Sequence, residues 1–485
     1  MNGTLEIPAI DWSLLSPFLW LTLGAIAVTL MAVGPPAARR FTGYAALLAL
    51  IPPLAATLSL WGSGRAALTT MSGMVVMDRF SLCFLLIFVA TAALTVLLSI
   101  PTVPDRHEGS AEYYSLLLFA TVGMMLMAAT TNLLILFLGL EVLSLPLYIL
   151  AGFTRWRDRS LESSMKYFLL GAFSTGFTIY GMALLYGATG TLDLSRMGAT
   201  GPSLVLLLGF GLTLAGFLFK IAAFPFHYWL PDVYQGAPTP VTAFMIAGTK
   251  AAAFSAILRI VTAPLFAEGP AGVDWTRLIT VLAALTMTAG NAVALVQNNL
   301  KRMLAYSSIA HAGYLMIAVA ARSDDGVASV VFYLAAYLLM NLGAFAVVLA
   351  VDQSRGGEGE GDYIAAFQGL GRRHPLLAAA MTVFMLSLTG VPLTAGFVGK
   401  FYIFRAAVDS HMYGLALVGL LNSVVAAAYY LNVVLNMYMK EPVSEPPAVI
   451  TAWPLGAGIL ATAAGTLYLG IFPTPVLELA RSLLL

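Results

Sequence analysis

Four charged residues stand inside strongly apolar stretches of this sequence, in a pattern that suits proton transfer. They are Glu141, in the run Leu138–Pro146, and three lysines, Lys220, Lys250 and Lys400. A nearby carboxylate favours the charged form of a lysine, whereas burial disfavours it. A change in the distance between Glu141 and Lys220 would therefore switch that lysine between holding and releasing a proton. The other two lysines would continue the relay through bound water.

The cost of these charges favours a functional interpretation over a structural one. A charge at the centre of a membrane helix costs about 2.5–3.5 kcal/mol on insertion scales, so four unpaired charges imply roughly 10 kcal/mol. Glu141 could form a structural pair with one lysine, but two lysines would still lack an acid. Ionisable groups inside membranes mostly mark ion or proton paths. Lysine also suits such a path because arginine, which is always charged, would block it.

Several other polar residues are weaker candidates, and each has a plain structural alternative. His311 lies within an apolar run and titrates near pH 6.5 when unperturbed, so it is either a relay member or a hydrogen-bonded core residue. Lys166 lies about one turn inside its run, so it either joins the relay or extends its amine to the membrane surface. His227 and Asp232 flank a span end, as proton-exchange groups or as helix-end polar residues.

The composition indicates the elements that must position these groups. Of the 485 residues, 60% are hydrophobic and only 10% are charged, and the mean hydropathy is +0.89. A soluble domain carries about 25% charged residues. The apolar residues fall in runs of roughly 20, which as helices cross about 30 Å of hydrocarbon. The sequence therefore predicts an all-α polytopic membrane protein that forms a single transmembrane domain over residues 1–485.

About fourteen spans are predicted, and two of them are too long and are interrupted. The span that carries Lys220 continues through Pro225 and Pro231, and the span that carries Lys400 contains Gly390 and Pro392. The predicted spans are 14–33, 41–61, 77–100, 112–131, 133–153, 163–187, 203–231, 239–262, 275–296, 302–320, 327–351, 375–408, 413–438 and 450–471.

An internal repeat coincides with the two interrupted spans. The segment Ala215–Lys220 resembles Ala395–Lys400, and each lies beside a proline interruption. The copies are an odd number of spans apart, so they would have opposite orientations. This pattern is typical of an inverted repeat whose broken helices mark a site at the membrane midplane. We expect five-helix halves at 112–262 and 275–438.

The distribution of basic residues predicts the orientation. Lys and Arg are concentrated in the loops after odd-numbered spans, which the positive-inside rule places in the cytoplasm, so both termini should face outward. At the outer surface, Asp78 and Arg79 are expected to pair and Arg259 to snorkel. The long loop 352–374 is expected to be a mobile cytoplasmic linker. The basic residues of the odd loops are Arg39, Arg40, Arg106, Arg155, Arg157, Arg159, Lys301, Arg302, Arg355, Arg372, Arg373 and Lys440, against Arg65, Arg196, Arg277, Arg322 and Arg481 elsewhere.

Several classes of function are excluded. The single cysteine, Cys83, rules out an intrachain disulfide, a four-cysteine zinc site and an all-cysteine iron–sulfur cluster. A net charge of +1 without a basic run gives no support for nucleic-acid binding. Gly456–Ala461 fits a dinucleotide fingerprint only as a string, because it lies in an apolar span without a preceding strand. We therefore expect no metal, nucleotide or redox cofactor on this chain.

The chain resembles a known family over essentially its whole length, and three segments carry the resemblance most clearly. They are Phe219–Phe244, which includes Phe-Pro-Phe-His-Tyr-Trp-Leu-Pro-Asp-Val-Tyr-Gln-Gly-Ala-Pro-Thr-Pro, together with Lys166–Phe173 and Ala305–Tyr314. They resemble the antiporter-like membrane subunits of respiratory complex I, the bacterial NADH-quinone oxidoreductase. Within these, the sequence is most similar to the subunit N family, and a lysine at position 400 favours that family over subunit M.

This resemblance implies a role in a redox-driven proton pump of the bacterial inner membrane. It implies that Glu141, Lys220, Lys250 and Lys400 form the central hydrophilic axis, with Lys166 and His311 as secondary members. It also implies partners: other membrane subunits, membrane lipid, and a peripheral redox arm that holds flavin and iron–sulfur clusters and reduces quinone.

Two rival functions remain open at this point. A subunit of a multisubunit sodium/proton antiporter would share the fold and the Glu–Lys pair, although the wording of the segments around Lys166 and Lys220 favours complex I. A structural spacer between other membrane subunits is the second rival. The cost of four central charges argues against a spacer.

Overall fold

The computed structural model describes residues 10–64, 68–103, 110–197, 203–263, 275–357, 359–441, 449 and 451–484. Within these residues the chain is almost entirely helical, with one short hairpin of strands β1 (Leu68–Thr70) and β2 (Val75–Met77). Arg65 and Arg106, which contributed to the predicted orientation, lie outside the described residues.

The predicted class is confirmed: the chain is an all-helical, multi-pass membrane protein. Twelve described helices are long and apolar enough to cross a membrane. Two shorter apolar helices, Leu204–Lys220 and Pro375–Thr389, begin the two spans that were predicted to be interrupted. The total of fourteen spans and the division into two inverted five-helix halves stay predictions.

The helices follow one another along the chain with short connections. In chain order they are α1 (Trp12–Leu30), α2 (Pro36–Arg39), α3 (Thr42–Ala49), α4 (Ile51–Gly62), α5 (Arg79–Ser99), α6 (Ser110–Ala128), α7 (Leu133–Ala151), α8 (Asp158–Thr189), α9 (Leu204–Lys220), α10 (Leu230–Gly236), α11 (Thr239–Phe244), α12 (Lys250–Val261), α13 (Trp275–Ala294), α14 (Leu300–Ala321), α15 (Asp324–Ser354), α16 (Leu370–Arg373), α17 (Pro375–Thr389), α18 (Ala395–Asp409), α19 (Tyr413–Met439), α20 (Trp453–Ile471) and α21 (Thr474–Arg481).

The two interruptions lie on opposite sides of their lysines. Helix α9 ends at Lys220, and the chain resumes helical structure only at Leu230. Helix α17 instead ends at Thr389, and α18 begins at Ala395, so Lys400 follows its break by more than one turn. Lys220 is therefore the last residue of a helix, whereas the sequence placed it deep within a span. Proline and glycine explain both breaks, because neither residue continues a helix well.

A third irregularity, which the sequence did not reveal, precedes Lys250. Residues Met245–Thr249 form a single π-helical turn between α11 and α12. Such turns are rare and occur frequently at functional sites. This turn places Lys250 at the first position of α12.

The core of the molecule is formed by the helices that carry the candidate residues. Helices α14 and α15 are almost completely buried, and so is the segment Thr239–Val261 that contains α11 and α12. Helix α8 leaves most of its surface exposed in the isolated chain. The polar groups of α12 and α14 are thus separated from lipid by other helices, as buried polar groups in a membrane protein must be.

The expectation of a mobile linker at 352–374 is wrong for its described residues. Two 3₁₀ turns, Glu360–Asp362 and Ile364–Phe367, follow α15, and Phe367 is fully buried. The Asp352 carboxylate accepts hydrogen bonds from the backbone N–H groups of Gly359 and Gly361. The glycines that suggested mobility instead allow the positive φ angles of a compact turn, as at Gly359 (φ 87°).

Candidate functional site: a buried lysine and histidine axis

Glu141 lies on α7, half-buried, and does not contact a lysine directly. The hydroxyl of Thr175 on α8 donates a hydrogen bond to Glu141 Oε1 at 2.9 Å. Among the described residues, no Lys nitrogen lies within 4.0 Å of its carboxylate. Tyr148, two helical turns beyond Glu141 on the same face of α7, has its ring 5.6 Å from Lys220 Nζ. A tyrosine thus lies next to Lys220 on the helix that carries the acid.

Lys220 is buried in an aromatic cage at the broken end of α9. Its Nζ donates to the hydroxyl of Tyr167 at 3.4 Å and lies 5.1 Å from the centre of that ring. The ring of Tyr167 also stacks on Trp229, whose indole nitrogen donates to the carbonyl of Phe219 at 3.2 Å. The aromatic faces stabilise the ammonium group by cation–π attraction, without a carboxylate in contact.

Lys250 is held by a single serine of α14. Its Nζ donates hydrogen bonds to both the hydroxyl and the backbone carbonyl of Ser308. The ring of Tyr337, on α15, lies 5.4 Å from the same nitrogen. Only 2% of Lys250 is exposed. A buried lysine that is surrounded by neutral oxygen atoms is suited to exchange its proton with a neighbour.

His311 lies one turn beyond Ser308 on α14 and is fully buried. Its Nδ1 forms a hydrogen bond with the hydroxyl of Tyr333, and its Nε2 forms one with the hydroxyl of Tyr430 at 3.0 Å. The Tyr430 hydroxyl also bonds with Ser307. Both ring nitrogens are therefore connected to groups that donate and accept, which a proton-conducting imidazole requires.

Lys400 is held at the break between α17 and α18. Its Nζ donates to the carbonyl oxygens of Leu388 (3.0 Å) and Thr389 (2.9 Å) and to the hydroxyl of Ser423 (2.9 Å). The two carbonyls lie at the C-terminal end of α17, where the helix dipole is negative and the carbonyls lack helical partners. The broken helix thus supplies the counter-charge for this lysine.

The structure brings Lys250, His311 and Lys400 together along α14. Ser308, His311 and Tyr314 lie on three successive turns of this helix, and Lys250 of α12 donates to Ser308, the first of the three. Lys400 Nζ lies 4.8 Å from the ring of Tyr314 at the third. The rings of His311 and Tyr314 meet edge to face, with centroids 5.4 Å apart. The three charged or titratable groups therefore lie along one continuous polar and aromatic line.

Lys166 is not part of this line. It lies at the surface of the isolated chain and forms ion pairs with Glu162 and with Asp232, at 2.7 Å for the latter. Asp232 also pairs with Arg302 of α14 at 2.6 Å. Asp232, which the sequence left as either a proton-exchange group or a helix-end residue, thus connects α8, α10 and α14.

The prediction of an Asp78–Arg79 pair at the outer surface is wrong. Asp78 caps α5 and pairs with Arg259 of α12, through two bonds of 2.7 and 2.8 Å. Arg259 also donates to Ser81 and lies over the ring of Phe80. Its side chain is engaged within the protein rather than extended to the membrane surface.

The sequence did not reveal which side chains contact the residues of the axis. They are Tyr148, Tyr167, Ser308, Tyr333, Ser423 and Tyr430. One signal was present: Ser308, His311 and Tyr314 recur every three residues, which places polar groups on successive turns of a helix. Within the described part of the chain, no three His, Cys, Asp or Glu side chains converge as metal ligands.

Known proteins match this chain in sequence and in fold. Residues 129–426 match a family model described as the membrane-spanning domain of NADH:quinone oxidoreductases and Mrp antiporters. The NADH-quinone oxidoreductase subunit N of Trichlorobacter lovleyi is 46% identical over 479 residues, covering 97% of this chain and 96% of the relative. Subunit N 1 of Solibacter usitatus is 44% identical, with 95% of each chain covered.

The chain belongs to the subunit N family of NADH-quinone oxidoreductases. A similar chain is found in a solved structure of respiratory complex I from Thermus thermophilus with bound Aureothin. It is 39% identical to this subunit N family member, with a TM-score of 0.80, and the match covers 96% of this chain and 99% of that chain. A chain of the Mrp complex from Dietzia sp. DQ12-45-1b has the same fold, with a TM-score of 0.87 at 22% identity and coverage of 98% and 97%.

Proposed function

We propose that this chain is the proton-translocating membrane subunit of an NADH:quinone oxidoreductase in a bacterial inner membrane, with both termini on the periplasmic side. The observation that supports this most strongly is the line from Lys250 through His311 to Lys400, buried along α14. In this proposal other membrane subunits connect the chain to a redox arm, whose subunits hold flavin and iron–sulfur clusters and bind quinone.

The proposed relay begins at Lys220 and ends at Lys400. Redox turnover in the partner subunits changes the position of Glu141 relative to Lys220, and the loss of a nearby negative charge favours release of the lysine's proton. The proton moves to Lys250 and from there to Ser308 and His311. His311 can accept a proton on one ring nitrogen and release one from the other, so it passes the charge towards Lys400 without rotating.

Lys166 has a positioning role in this proposal. Its ion pairs with Glu162 and Asp232 lie away from the Lys250–Lys400 line, and Asp232 joins α8 to α14 through Arg302. A shift of α8 is thereby transmitted to the helix that carries His311.

Purification from native membranes tests the assignment of the complex. A tag at the C-terminus would be used for gentle isolation, and mass spectrometry would identify the companion subunits. Flavin and iron–sulfur subunits with NADH–quinone activity are the expected result. A set of small membrane antiporter subunits without a redox protein would overturn the proposal and favour the sodium/proton antiporter function.

Proton pumping tests the relay itself. Lys220→Ala should lower NADH-driven proton transfer in a fully assembled complex, whereas Lys440→Ala, which removes a lysine from the exposed end of α19, should not. Normal pumping by an assembled Lys220→Ala complex would exclude the role proposed for Lys220.

A further inference from the structure

A second acid–base site lies at the cytoplasmic end of the axis, outside the residues considered so far. Asp362, in the 3₁₀ turn after α15, and Lys301, at the start of α14, are both buried. Lys301 Nζ lies 3.7 Å from Asp362 Oδ2 and donates to the carbonyl of Ala237 at 2.9 Å. The other carboxylate oxygen, Oδ1, is buried and has no hydrogen-bond partner within the described residues.

Among the described residues, Asp362 Oδ1 is the one carboxylate oxygen that is buried without a hydrogen-bond partner. Buried polar atoms almost always have a partner, and those that lack one are found where a group has a catalytic role or is bridged by water. A purely structural ion pair would use both oxygens, because a carboxylate accepts several hydrogen bonds. Asp352 shows this capacity, because its Oδ1 alone accepts hydrogen bonds from the N–H groups of both Gly359 and Gly361.

A cavity lies near this site, and one of its lining residues, Asp352, contacts the Asp362 turn. It has a volume of about 910 Å³ and is lined by residues that include Arg157, Asp352 and Gly357. Gly361, whose N–H binds Asp352, directly precedes Asp362. Asp352, which lines this cavity, therefore links the Asp362 turn to a space large enough for many water molecules, although Asp362 itself does not line it.

Two helices lead from this site to Lys250. On α14, Lys301 and Ser308 are seven residues apart, so they lie on the same face about 10 Å from each other. On α15, Asn341 lies one turn from Tyr337, the residue whose ring contacts Lys250. Asn341 is fully buried, and its Oδ1 also lacks a partner within the described residues.

We propose that Asp362 is the proton-accepting residue through which protons from the cytoplasm reach Lys250, with Lys301 as the positive charge that positions its carboxylate. A proton from water in the cavity forms an O–H bond at Oδ1. That bond then breaks as the proton passes along water at Asn341 to Lys250, whose amine becomes an ammonium group. The carboxylate is restored, and no other reactant is needed. This inference rests on the proposed function of the axis and adds a second route by which Lys250 receives a proton, beside the one from Lys220.

The charges around Asp362 are suited to this role. Lys301 on α14, Arg157 before α8, and Asp352 at the end of α15 are the charged groups that face it. Burial raises the pKa of the Asp362 carboxyl and Asp352 adds to this, although Lys301 and Arg157 oppose it. The carboxyl therefore accepts a proton more readily than an exposed aspartate does.

Asp362→Asn in the assembled complex tests the proposal, because asparagine keeps the shape but cannot carry the proton. We expect the uptake step to slow by roughly 100-fold, the lower end of what a positioned acid–base group contributes, which should appear as a severalfold loss of NADH-driven proton transfer. In the wild type the rate should decline as the pH rises past the Asp362 pKa, and the variant should lack this decline. A merely structural carboxylate would leave the pH profile unchanged.

Matched variants separate the possible outcomes. Asp362→Glu should restore both rate and pH dependence, and Glu360→Gln, an exposed acid in the same turn, should behave as wild type. If Asp362→Asn does not assemble, Asn341→Leu tests the same route by replacing its polar group, and normal pumping would overturn the proposal. Lys250→Ala is measured alongside: if it impairs pumping while Asp362→Asn does not, only the uptake route is wrong, and if neither does, the proposed function itself fails.

Discussion

Lys250 donates hydrogen bonds to both the hydroxyl and the carbonyl oxygen of Ser308, one turn before His311 on α14. The lysine of the proposed relay is thus positioned by the same helix that carries His311, its proposed proton acceptor. No carboxylate among the described residues lies within ion-pair distance of Lys250 or Lys400, so neutral oxygen atoms and aromatic rings stabilise both ammonium groups. Neutral partners hold a proton less firmly than a carboxylate would.

Removal of the Ser308 hydroxyl should slow pumping without disturbing the fold. A hydrogen bond to a charged group contributes about 1.5–3 kcal/mol, so Ser308→Ala should slow transfer through Lys250 by roughly 10- to 100-fold. The initial rate of NADH-driven proton transfer in vesicles measures this. Ser329→Ala is the control, because the hydroxyl of this buried serine donates only to Gly326 within α15. Equal rates in the two variants would contradict the role of Ser308.

A permanent charge at position 400 should block the axis. Lys400→Arg keeps the positive charge that the carbonyls of Leu388 and Thr389 bind, but a guanidinium does not release its proton. We expect normal assembly together with a loss of proton transfer. Proton release per NADH oxidised is the measurement, with Arg405→Lys at the exposed end of α18 as the reverse control. Full pumping by Lys400→Arg would show that Lys400 does not exchange its proton.

The ion pair between Asp78 and Arg259 should contribute to stability rather than to transport. Asp78→Asn should lower the free energy of unfolding by about 1–3 kcal/mol, because the pair is bidentate and largely shielded from water. Asp409→Asn, which breaks the exposed Arg405–Asp409 pair, should change it by less than about 0.5 kcal/mol. Thermal unfolding of the purified protein in detergent compares the two, and equal shifts would contradict this assignment.

The stability of the loop after α15 should increase as the pH falls. The folded-state pKa of Asp362 is raised above the ordinary value of 3.8, so the folded state binds the proton more tightly than the unfolded state does. The gain begins as the pH falls through the raised pKa and is complete near the unfolded value. Asp362→Asn should lack this gain and should not be less stable than the wild type at neutral pH. Proteolysis of this loop at several pH values measures the difference.

The sequence predicted the charged members of the site but not their surroundings. Lys220, Lys250 and Lys400 stand out because a charge in an apolar run has few explanations. Their partners do not stand out, because tyrosine and serine are common in membrane helices and a linear pattern does not reveal which helix faces meet. Lys166 shows the same limit: its depth along the span was readable, but the ion pair with Asp232 depends on where α10 begins after the break.

The prediction of a mobile linker after α15 was wrong for a different reason. Glycine-rich composition was read as mobility, yet the glycines at 359 and 361 donate their N–H groups to Asp352. Glycine permits a tight turn as readily as a loose one. Only the position of an acceptor decides between these outcomes, and that acceptor lies seven and nine residues earlier in the chain.

The placement of Ser308, His311 and Tyr314 on a single helix would give the proposed relay an on–off character. Successive residues of an α-helix differ by about 100° around its axis, so a modest rotation of α14 would turn all three side chains away from Lys250, Tyr430 and Lys400 together. In the proposed relay, proton conduction would then depend on the rotation of one helix instead of on three separate side-chain movements. Near the N-terminal end of the same helix, Arg302 forms an ion pair with Asp232, and Lys301 forms one with Asp362. These two ion pairs would transmit movements of the neighbouring segments to the rotation of α14.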